Sequence, residues 1–92
     1  MTNIFENIPK ELPAELFENI VQNNRVQIER IVSKGQSSPA SGWYEQPRNE
    51  WVIVLKGQAI ILFSDQKKVH LKEGDYIAIP AFQKHKVSWT DP

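Results

Sequence analysis

Five short apolar runs, WVIVLK, QAIILF, KVHLK, YIAIP and HKVSWT, follow one another along the second half of the chain. Turn-forming stretches separate them: Lys56-Gly57, Ser64-Asp65-Gln66, Glu73-Gly74-Asp75 and Ala81-Phe82-Gln83-Lys84. Runs this brief, rich in β-branched and aromatic residues and bounded by such turns, read as strands. A further period-two segment begins at Arg25, where Val26, Ile28 and Arg30 alternate with Gln27, Glu29 and Ile31 before the chain turns at Ser33-Lys34-Gly35. Many strands at close spacing define a mainly β protein built as an antiparallel barrel or sandwich.

Ahead of this region the pattern reads differently. In PAELFENIVQ, residues 13 to 22, Leu16, Phe17, Ile20 and Val21 stand at helical spacing, with Pro13 where a first-turn proline is tolerated. The spacing predicts one short amphipathic helix. Residues 1–24 are then a lead-in with that helix and residues 25–92 the barrel of what is a single domain overall, since 92 residues suffice for one domain only. A chain this small buries about 60–65% of the surface its unfolded form exposes.

Composition removes several function classes. Eleven basic and eleven acidic side chains cancel, and no Lys/Arg block supplies the electrostatic footprint of a nucleic-acid or anionic-membrane binder. Cysteine is absent, so disulfides, iron–sulfur sites and a thiol nucleophile are excluded, and any metal must sit on nitrogen and oxygen ligands. With no leader-like or membrane-length apolar segment, a cytoplasmic location is the default expectation.

The strand faces point to a site and to a partner. In EWVIVL, Glu50, Val52 and Val54 share one face while Trp51, Ile53 and Leu55 share the other, and QAIILF is likewise apolar on both sides. Strands of that kind need cover on both faces, and one ten-residue helix does not roof two of them. A homodimer formed through the outer sheet surface is therefore expected. In HKVSWT, His85, Val87 and Trp89 alternate with Lys86 and Ser88, so His85 heads the inward face. Strict alternation puts Trp89 on the same side and His70 on the solvent side.

These residues resemble the cupin superfamily. Gly74, five residues, Pro80, and His85 five positions after the proline reproduce the spacing of its second motif, with Phe82 where the family carries glycine and Trp89 where it carries asparagine. The first motif matches in Glu50, six residues and Gly57, whereas its two histidines are Tyr44 and Gln46 here, with Pro47 following in register. The likeness runs from Val26 to Trp89. It implies an antiparallel double-stranded β-helix, or jelly roll, with a small-molecule site at Tyr44, Gln46, Glu50, His85 and Trp89.

It also implies that His85 and Glu50 are the residues to hold a divalent metal, Mn, Fe, Ni or Zn. Only one imidazole and one carboxylate are present for that task, and a neutral amide and a protonated phenol are weaker donors. A binding barrel without turnover is accordingly the first expectation. A metal-dependent dioxygenase or isomerase is the second, and a purely structural dimerisation module the third. Cupins of this length usually carry another strand after the segment matching HKVSWT, so the barrel is expected either open or completed by a partner's strand.

Overall fold

The computed structural model describes residues 3–38 and 42–92. It contains seven strands among the described residues: β1 (Leu16–Gln22), β2 (Gln27–Val32), β3 (Glu50–Ile53), β4 (Ala59–Phe63), β5 (Lys68–Leu71), β6 (Tyr76–Ile79) and β7 (His85–Thr90). All pair antiparallel, as a β1–β2 hairpin, a β3–β6 sheet and a three-stranded sheet ordered β5-β4-β7. The protein is mainly β.

The β3–β6 and β5-β4-β7 sheets face each other across the core. Ile61 and Phe63 of β4, Leu71 of β5 and Ile79 of β6 are buried there, with Val52, Val54, Val69 and Ile77 packed around them. Alternation delivers these side chains: Glu50, Val52, Ile77 and Ile79 occupy one face of their sheet, because Glu50 pairs with Ile79 and Val52 with Ile77. Hydrogen-bonded strands do not run around the core as a closed ring among the described residues. The arrangement is two layers of a jelly roll rather than a sealed barrel.

The expected N-terminal helix is absent; residues 16–22 are β1. Its pairing with β2 is interrupted between Asn19 and Val21, where Ile20 is an extra residue. The register puts Leu16 and, past the bulge, Val21 on the face of Arg30 and Phe17 on the opposite face, so a strand apolar on both faces with one extra residue reproduces by spacing alone the pattern of a helical stripe. The hairpin, which straddles the junction at residue 24, closes on Asn23. Its side chain accepts hydrogen bonds from the Arg25 and Val26 amides at 2.8 and 2.9 Å, an Asx turn that favours reversal over helix continuation.

Residues ahead of β1 strap one face of this hairpin. Arg30, 6% exposed, pairs with Glu18 opposite it and donates through Nη1 to the carbonyls of Ile4 and Glu6. Further along, Gln36 Nε2 donates to Leu12 O at 2.8 Å, and Thr90 Oγ1 donates to Gln36 O.

One turn carries an unusual residue. Phe82 adopts φ 64°, a left-handed conformation that costs a non-glycine residue about 1–2 kcal/mol, while its side chain is largely exposed and buries little in return. Phe82→Gly should therefore raise stability by about 0.5–1 kcal/mol after the entropic cost of glycine is subtracted. A higher urea midpoint with an unchanged slope would show it; a lower midpoint would mean that the ring contributes packing that its exposure does not suggest.

Candidate functional site

Three chain segments meet at one end of the core. The first is the loop before β3, tied to the edge of β7 by paired backbone bonds, Tyr44 N to His85 O at 2.7 Å and His85 N to Tyr44 O at 3.0 Å. The second is the start of β7. The third is the start of β3, held close by Phe82 N donating to Gln46 O at 2.7 Å and Ala81 N donating to Asn49 Oδ1 at 2.8 Å. These contacts bring residues from distant parts of the chain onto one patch.

His85 is the buried member, its side chain 8% exposed against 30% for Glu50. Its ring lies 6.2 Å from that of Tyr44 and 6.3 Å from that of Phe63, centroid to centroid. Nδ1 stands 2.9 Å from Gln83 O. A carbonyl only accepts, so Nδ1 carries the hydrogen. Nε2 then faces Glu50 Oε1 at 3.4 Å, and two lone pairs facing each other repel. The contact is attractive only with a hydrogen or a cation between the two atoms. Glu50 Oε1 also accepts from the Gln46 amide.

Four of the five residues singled out from the sequence thus converge: Tyr44, Gln46, Glu50 and His85. Trp89 does not. The β4–β7 ladder is interrupted between Ile60 and Ile61, with Val87 opposite Ile61 and Trp89 opposite Ile60, so Ser88 is an extra residue. Beyond this bulge the strand changes face. His85 and Val87 stay inward with Phe63 and Ile61, whereas Trp89 turns outward beside Ile60. There it meets His70 edge-on, with ring centroids 6.3 Å apart. His70 is exposed on that outer surface and its Nε2 lies 2.7 Å from Gln58 Oε1.

Two contributors escaped the sequence reading. The Gln83 carbonyl fixes the imidazole, a role that backbone atoms leave no sequence trace of. Phe63 walls the ring from β4; its inward position at the strand end was the available signal.

The donor set does not fit a tight transition-metal centre. Such sites use about three strong protein donors, and no group of three His, Cys, Asp or Glu side chains is gathered among the described residues. Here there is one imidazole and one carboxylate, and the amide of Gln46 is turned to Glu50.

A shallow cleft of about 320 Å³ lies at the opposite end of β4 and β7, lined by Gly57, Gln58, Lys72, Glu73 and Asp91. It brings together no chemistry comparable to the His85–Glu50 pair. Its Glu73 carboxylate accepts from the Gly57 amide at 3.1 Å, which makes it part of a turn.

The family follows from comparison. The chain belongs to the cupin family, whose domain model matches residues 29–92. Among solved structures it is similar to a putative mannose-6-phosphate isomerase from Ralstonia eutropha JMP134, with 38% identity and a TM-score of 0.92, covering 99% of this chain and 85% of that one. It is also similar to a cupin superfamily protein from Desulfitobacterium hafniense DCB-2, with 27% identity and a TM-score of 0.73, covering 87% of this chain and 71% of that one. No protein of curated description matches significantly.

Proposed function

We propose that this cupin binds a small, polar, hydroxyl-bearing molecule at the patch formed by Tyr44, Gln46, Glu50 and His85, without turnover. The observation that carries the reading is the approach of His85 Nε2 to Glu50 Oε1 at 3.4 Å from two different sheets. With the Nδ1 hydrogen committed to Gln83 O, the pair sets the imidazole Nε2 and the carboxylate side by side as acceptors, and a ligand hydroxyl donating between them supplies the hydrogen that their contact lacks. Tyr44 and Gln46 add a phenol and an amide at the more exposed rim. A few placed polar groups over an apolar floor, here Phe63, are the ordinary makeup of a small-ligand site.

A second reading is favoured by the likeness to the Ralstonia protein: an isomerase of sugar phosphates, with Glu50 and His85 moving a proton between neighbouring carbons of the substrate. Both groups are of the kind used for general acid–base work. Binding isotherms with polyols, sugars and sugar phosphates, run beside an isomerase assay and elemental analysis of protein purified without a chelating column, separate the readings. The binding protein should show saturable heat with at least one class, weakened by about tenfold or more, or roughly 1.4 kcal/mol, in His85→Gln and Glu50→Gln. Turnover abolished by the same variants, or a stoichiometric metal lost on His85→Ala, would replace it with the enzyme. Absence of all three signals would leave the structural module.

A further inference from the structure

We propose that the molecule held at this patch carries a primary ammonium group, shared between His85 Nε2 and Glu50 Oε1, an inference that rests on the small-ligand reading above and narrows the ligand to amino-substituted polyols and sugars.

The hydrogen-bonding groups of the patch are one-sided. With its Nδ1 hydrogen given to Gln83 O, the imidazole offers a ligand an acceptor, and a carboxylate offers nothing else. Gln46 directs its amide nitrogen at Glu50 Oε1, so its other end, a carbonyl oxygen, is a further acceptor. A hydroxyl brings one hydrogen to the His85–Glu50 pair and must share it, whereas a primary ammonium brings three. The spacing suits the second. Nε2 and Oε1 stand 3.4 Å apart, and a nitrogen about 2.9 Å from both would donate to each at an angle of about 150°, which is good hydrogen-bond geometry. Bonds from a charged donor to a carboxylate are also roughly twice as strong as neutral ones.

Electrostatics point the same way. The Glu50 side chain is 30% exposed, so water screens the carboxylate only in part, and no lysine or arginine pairs with it among the described residues. A partly buried carboxylate without a counter-charge favours a cation beside it. Lys86 of β7 stands on the outer face with Leu62, its Nζ 4.5 Å from the Trp43 ring centroid. A phosphate group at the patch would therefore meet a carboxylate rather than an ammonium. A metal ion is the poorer cation for this place, since it needs about three strong ligands and no such group of three is gathered among the described residues.

Glucamine and sorbitol differ only in an amine for one hydroxyl, and calorimetry on the native chain should give glucamine a Kd at least about tenfold lower. Sorbitol phosphate should bind more weakly than sorbitol. Glucamine trimethylated on nitrogen, which keeps the charge but has no N–H, should fall to the level of sorbitol, and Glu50→Gln should erase the preference for the amine. Glucamine binding no tighter than sorbitol overturns the ammonium while leaving a hydroxyl site standing. A preference for the phosphate does the same, as does an amine preference that survives trimethylation or Glu50→Gln. No saturable heat from any of the four compounds overturns the small-ligand reading and the ammonium with it. Should Glu50→Gln fail to fold, as far-ultraviolet circular dichroism would reveal, the four compounds on the native chain decide.

Discussion

Ile79→Ala lowers the unfolding free energy by about 2–5 kcal/mol, the range for removing a buried aliphatic side chain and leaving a cavity. Ile79 is 2% exposed and is the largest side chain buried this completely. It sits where β6 meets β4 and β5 across the layers, against a core whose other buried apolar members are Ile61, Phe63 and Leu71. With so few members, no neighbour can move in to fill the space without exposing itself. Total stability for a domain this size is only about 5–14 kcal/mol, so the loss is a large share of the whole. Urea unfolding followed by tryptophan fluorescence measures it. A change below about 1 kcal/mol would mean that the layers collapse to close the gap.

The second large effect is at Arg30. Arg30→Ala removes the donors that serve Glu18 and the carbonyls of Ile4 and Glu6, and it should cost about 2–3 kcal/mol. The figure stays below that for a fully enclosed ion pair because the Glu18 side chain is 32% exposed and regains water. Arg30→Lys should rescue little, since one ammonium cannot replace a guanidinium that reaches several acceptors in fixed directions. The distinguishing readout is proteolysis. Cleavage between residues 3 and 12 should accelerate in both variants while the β4 and β7 amides keep their hydrogen-exchange protection. Equal loss of protection everywhere would show that the strap and the layered core melt together.

The strands from Glu50 onward were legible because each apolar alternation is fenced by a strong turn signal. Gly57 and Gly74 take φ 81° and 86°, values that glycine adopts freely. The meeting of Glu50 and His85 was legible for a related reason: both stand at the first residue of a strand, and the alternation that fixes their faces is unbroken over Glu50–Ile53 and from His85 to Val87. The two failures share one cause. At Ile20 and at Ser88 a single extra residue breaks the period, and a bulge has no compositional signature that a reader of sequence can count. The first turned β1 into an apparent helix; the second carried Trp89 out of the site. The task of Arg30 was hidden as well, because its partners Ile4 and Glu6 are 26 and 24 residues away and two of the three acceptors are main-chain atoms.

The extra residue at Ser88 makes β7 serve two masters. Its first half furnishes the imidazole and its last residues, Trp89 among them, dress the exterior. A chain so divided can remodel what it shows the outside world through positions 89 and 70 while the interior chemistry is inherited untouched. Deleting Ser88 would abolish that independence, forcing an indole inward and tying the two surfaces to a single fate.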